Sequence, residues 1–92
     1  MEIIERNLYY IKLDYSKLDA HDVHLIEHKR VEQVVKHRNL GYVVKVYESD
    51  LKDIIETNIV RLTVWPDGDS YTEICEFPVE SIYREMTTIE KI

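Results

Sequence analysis

The chain has few of the residues that break or staple a fold. It holds two glycines, two prolines and one cysteine in 92 residues. So little glycine and proline argues against flexible linkers, collagen-like repeats and Gly-rich phosphate loops. The single thiol, Cys75, excludes an intrachain disulfide and suits a reducing compartment. Long apolar runs are missing too. The longest, Leu8 to Ile11, is four residues, where a membrane span needs roughly 20. The N-terminus, Met-Glu-Ile-Ile-Glu, has neither the basic start nor the apolar stretch of a secretory signal. No Asn-X-Ser/Thr acceptor occurs, and no segment repeats. These features point to a chain acting in the cytoplasm, of a cell or of a host cell if virally encoded.

A basic excess is also lacking. The formal net charge is −6, which disfavours a general binder of nucleic acid or anionic membrane. The excess is uneven. Residues 1–48 hold eight basic and eight acidic side chains, whereas residues 49–92 hold four basic and ten acidic. All the surplus negative charge therefore lies in the second half. With 45% hydrophobic and 33% charged residues, the composition is that of a globular protein and too apolar for disorder. At 11.0 kDa the chain is one domain, residues 1–92, because two would be too small to bury cores.

Residues 8 to 15 place Tyr9, Ile11, Leu13 and Tyr15 on one face and Lys12 and Asp14 on the other, the period of a half-buried strand. Residues 19 to 41 read as a helix. Asp19 suits the N-cap, Gly41 the C-terminal stop, and Ala20, Val23, Val31 and Val34 share a stripe. Glu27 and Arg30 fall in or beside that stripe. The competing reading is a hairpin of Val31 to His37 and Tyr42 to Glu48, joined through Arg38-Asn39-Leu40-Gly41. Tyr42 to Glu48 is β-branched and aromatic, as a strand requires. Ser49 and Asp50 can cap a short helix carrying Leu51, Ile54 and Ile55. Residues 59–65 and 70–77 form a hairpin around Pro66-Asp67-Gly68-Asp69. Pro78 then opens a short helix with Val79, Ile82, Tyr83 and Met86 at i, i+3, i+4 and i+7. The alternative there is a single turn and a strand over Ile82–Met86. Residues 87–92 are expected to be loosely held. The class is α+β: helices packed on an antiparallel or mixed sheet of about four strands, with a small, partly open β-barrel as the alternative.

Several clusters invite chemistry. His24 and His28, four apart on a helix, can offer two imidazoles to one metal ion. A closed site would need ligands from elsewhere, so a solvated polar face is the simpler expectation and no metal or cofactor is expected. Cys75 has Glu73 and Glu76 as sequence neighbours, which oppose the depressed pKa of a nucleophilic thiol. Asp67 and Asp69 fit a tight turn better than a cation site. Lys29, Arg30, Lys36, Arg38 and Lys45 face one acid, Glu32, within residues 29–45, and suggest contacts to phosphate. On a helix they would scatter; on a hairpin Lys36 and Arg38 would come together. The seven tyrosines, Tyr10 and Tyr47 on polar strand faces among them, suit an interface.

No set of residues supplies nucleophile, base and oxyanion donor together, so an enzyme is not expected. The expectation is a protein-interaction or regulatory domain, of the inhibitor type carried by phages or mobile elements. It would dock a larger protein with a basic surface through Asp67, Asp69, Glu73, Glu76, Tyr10 and Tyr47. Surplus aromatic area suggests a homo-oligomer. The alternatives are a nucleic-acid-associated regulator using the basic stretch 29–45, and a metal-dependent binder or small hydrolase using His24 and His28.

Overall fold

The structure, a computed structural model, describes residues 7–68, 70–84 and 90–91. Strand β1 (Leu8–Leu13) leads through a 3-10 turn (Tyr15–Lys17) into helix α1 (Ala20–Glu27). A hairpin follows, β2 (Val34–His37) and β3 (Gly41–Tyr47), then helix α2 (Glu48–Thr57). Strands β4 (Ile59–Val64), β5 (Glu73–Arg84) and β6 (Glu90–Lys91) are the remaining described elements. The sheet runs β2-β3-β1-β5-β4, with β6 on β5, and every pairing is antiparallel. The class is α+β, as expected, with five main strands rather than about four.

The sheet is open, yet its edges are drawn together. Val31 bridges Val64. Beside that bridge the Glu32 N–H bonds the Thr63 carbonyl at 3.0 Å, and the Trp65 N–H bonds the Arg30 carbonyl at 2.7 Å. The curl encloses a core of inward residues from all five strands. Ile11, Leu13, Val44, Leu62, Val64 and Phe77 are fully buried in it, and Leu25 and Ile26 of α1 and Leu51 and Ile54 of α2 join them.

One expected helix stops early and another is replaced by strand, each for a physical reason. The helix over 19–41 stops after Glu27. Lys29 adopts a left-handed conformation, φ 58°. The Arg30 N–H bonds the Leu25 carbonyl, and the Lys29 N–H bonds that of Ile26. This is a Schellman stop, and it usually takes glycine. A lysine carries no sequence signal for such a stop, whereas Gly41 does. Gly41, φ 78°, instead closes the β2–β3 turn. The hairpin reading of residues 31–48 is the correct one. Asp19 does cap α1, accepting from the Asp22 N–H at 2.8 Å.

The helix after Pro78 is absent, because β5 continues to Arg84. Leu13 pairs with Val79 but Lys12 with Ser81. Glu80 is thus the extra residue of a β-bulge. The bulge leaves Val79 and Ile82 on the same face, three apart, and so imitates helical spacing. Pro78 costs no ladder bond: its carbonyl accepts from the Asp14 N–H at 2.9 Å, and its missing N–H would point to the same edge. Met86 and residues 87–89 and 92 lie outside the described residues; Glu90 and Lys91 pair with Arg84 and Tyr83.

The remaining elements follow the sequence closely. The β4–β5 hairpin forms, with Arg61 opposite Glu76 and Leu62 opposite Cys75, but its second strand starts at Glu73 rather than at residue 70. Helix α2 begins one residue before the expected cap. Tyr47 occupies the N-cap with no side-chain bond, while Glu48 and Asp50 favour the helix dipole. Asn58, φ 56°, ends it. Phe77 joins β4, β5 and the core. Phe77→Ala is expected to lower stability by about 3–5 kcal/mol, measured by urea unfolding. A loss below about 1 kcal/mol would show that the site collapses around the cavity.

Candidate functional site

A groove of about 510 Å³ runs between α2 and β4. Its floor is apolar, from Val46, Ile54 and Val60. Its rim carries Asp50, Asp53 and Glu76 against one cation, Arg61. Asp50, Asp53, Ile54 and Thr57 reach it together because i, i+3, i+4 and i+7 share one helix face. Glu76 pairs with Arg61 across the strands at 3.4 Å. Both side chains are more than half exposed, and a surface pair of this kind contributes at most about 1 kcal/mol. Glu76 can therefore exchange Arg61 for another cation at small cost.

The other expected acidic residues do not gather here. Glu73 and Glu76 lie on opposite faces of β5, since their separation is odd and no bulge intervenes. Asp67 sits in the β4–β5 turn and accepts a hydrogen bond from the Tyr71 hydroxyl, which holds the Tyr71 pKa above its ordinary value. Asp69 lies outside the described residues. Tyr10 and Tyr47 are on the sheet face opposite Tyr9 and Val46. Tyr10 meets the His37 ring edge-on, with centroids 4.9 Å apart.

The basic stretch divides in the same way. A second groove, about 620 Å³, holds Lys29, Lys36, Tyr42 and Trp65. The Lys36 ammonium lies 5.6 Å from the Tyr42 ring centre, within cation–π range. Arg30 instead packs its guanidinium over Gly68. Arg38 is in the β2–β3 turn, and Lys45 stands opposite Tyr10, away from the core. Two of the five basic residues therefore meet.

On α1, His24 and His28 stack with ring centres 3.9 Å apart. The His28 Nδ1 lies 2.9 Å from the His24 carbonyl oxygen, which leaves Nε2 as its outward atom. A different trio, Asp19, His21 and Asp22, brings its ligand atoms within 4.8 Å at the helix start. Asp19 is already engaged as the cap. Cys75 lies in β5, half-buried; burial, then Glu73 and Asp22, push its pKa up. That is the reverse of what nucleophilic catalysis needs.

Asp50, expected only as a helix cap, and Asp53 and Trp65 are groove residues beyond those expected from the sequence. The first two carried a signal, their spacing along α2 with Ile54. Trp65 carried none, since its place depends on the fold bringing Arg30 to it. No family model, curated protein or solved structure matches this chain, so function is argued from the site itself.

Asp22 offers a test of the electrostatics. Partial burial and then Asp19 raise its pKa above the ordinary 3.8. The folded chain therefore holds this proton more tightly than the unfolded chain. The favourable contribution is present below the ordinary value and is lost as pH rises through the folded one. Asp22→Asn removes the penalty on the charge, so the variant should melt higher than wild type at neutral pH. The two should melt alike near pH 3, roughly one unit below the ordinary pKa. Thermal melts followed by circular dichroism check both ends.

Proposed function

We propose that this chain is a non-enzymatic protein-interaction domain, of regulatory or inhibitor type, that docks a partner with a basic surface. The acidic groove between α2 and β4 carries the reading. Three carboxylates surround an apolar floor there, the combination that steers a cationic partner and then holds it by burial. The surplus negative charge of residues 49–92 supplies the longer-range field. The raised pKa of Cys75 supports a role without covalent chemistry. No helix among the described residues is long and apolar enough to cross a membrane. Action in the cytoplasm and self-association belong to the proposal. The larger exposed apolar side chains, Val35, Tyr47, Ile55, Tyr71 and Ile74, lie on several elements, and light scattering giving at least twice 11.0 kDa would establish an oligomer.

A second reading draws on the other groove. Lys29 and Lys36 beside Trp65 and Tyr42 combine positive charge with stacking surfaces, which single-stranded nucleic acid uses.

Charge reversal separates the two. Asp50→Lys with Asp53→Lys should slow association with a captured protein partner by about tenfold at low salt. Lys29→Glu with Lys36→Glu should change it little. The opposite ranking, with wild-type chain retarding single-stranded RNA or DNA in a gel, would replace the first reading by the second.

A further inference from the structure

Strand β5 has different neighbours on its two edges, and part of one edge has none among the described residues. The Val79 N–H bonds the Asn58 carbonyl on the β4 side. Antiparallel alternation then turns the backbone groups of Phe77, Cys75 and Glu73 toward β4, and those of Pro78, Glu76 and Ile74 away from it. On that far edge the Pro78 carbonyl is taken by Asp14, and β1 reaches no further than Val79. The N–H and C=O groups of Ile74 and Glu76 thus meet no backbone partner among the described residues.

The surroundings of this edge are not neutral. Ile74 is 66% exposed, the highest value among the large apolar side chains described. Glu73 and Glu76 flank it on opposite faces, and the Asp22 carboxylate acts on the neighbouring Cys75. A second copy of β5 would bring these same acids against one another, which opposes self-pairing. A cationic strand meets carboxylates on both of its faces and an apolar side chain between them.

We infer that the free edge of β5 at Ile74–Glu76 takes an extended basic segment of a partner protein as an added antiparallel strand. This rests on the reading that the partner is basic, and it adds how that partner is held. The added strand continues the line of β1, and its main chain bonds the amides and carbonyls of Ile74 and Glu76. Its basic side chains face Glu73 and Glu76, and its apolar ones cover Ile74. Pro78 shows that a proline at an edge-facing position is compatible with β5, so the edge can be blocked while the β4–β5 ladder is kept.

The probe is an end-capped eight-residue peptide, Thr-Lys-Lys-Val-Lys-Thr-Lys-Thr, which as a strand carries lysines on both faces and a valine for Ile74. The readout is amide hydrogen exchange of the isotopically labelled full chain, residue by residue. The peptide should slow exchange of the Ile74 and Glu76 amides by about tenfold or more, and leave Cys75 and Phe77 unchanged because they already bond β4. Ile74→Pro should abolish binding, Ile74→Ala should keep most of it, and Cys75 and Phe77 should stay protected in both. Failure to slow the Ile74 and Glu76 amides at saturating peptide overturns strand addition. So does equal affinity of wild type and Ile74→Pro. If Asp50→Lys with Asp53→Lys still weakens capture in that case, the basic-partner reading stands alone; if it does not, both fall. Protection that grows with protein concentration in the absence of peptide assigns the edge to a second copy and overturns the proposal.

Discussion

The architecture depends on a short backbone seam where residues 30–32 meet residues 63–65. Arg30 and Trp65, Glu32 and Thr63, and the Val31–Val64 bridge tie the start of the β2 segment to the end of β4. Without them the two edges of the sheet would be held together only through the core that α1 and α2 also help to fill. With them the sheet curls, and both grooves are consequences of the curl. The acidic groove lies where α2 covers the space between β3 and β4 below the seam. The basic one lies beside the seam, where Lys29 and Trp65 are brought next to β2. Side-chain ion pairs are secondary: Lys12–Glu80, Lys17–Asp14 and Arg61–Glu76 all involve exposed groups and add little.

The two regular β elements with alternating patterns, β1 and the β4–β5 hairpin, could be read directly from the sequence. So could α2, whose Leu51 and Ile54 point inward at helical spacing. What misled was backbone behaviour that no residue type announces. A lysine in the left-handed region ends α1 in place of the expected glycine. A bulge at Glu80 converts a period of two into a step of three, and periodicity alone cannot tell that step from a helix. Both features replace expected helix by strand: the first adds β2 to the sheet, and the second lengthens β5.

The candidate site was only partly visible for a related reason. The charge imbalance between the halves is a property of composition and needs no fold. Which acids share a surface depends on parity along a strand and on packing between elements. Glu73 and Glu76 look adjacent in sequence but face opposite ways, while Glu76 shares a rim with Asp50 and Asp53 from a different element. The basic residues behave alike: Lys29 and Lys36 converge, and Lys45 is turned to the other face.

The strand order has a kinetic meaning too. The central strand β1 lies between β3 and β5, so it takes one partner from the middle of the chain and the other from near its C-terminus. During synthesis, at about 5–20 residues per second, β1 emerges early and waits for β5 with one edge open. Its inward residues, Tyr9, Ile11 and Leu13, are exposed for that time, since the core they fill is incomplete. Pairing of such distant segments folds slowly, in the millisecond-to-second range of high-contact-order domains. The chain is therefore most open to chaperones, and to unwanted strand pairing, at β1 until β5 arrives.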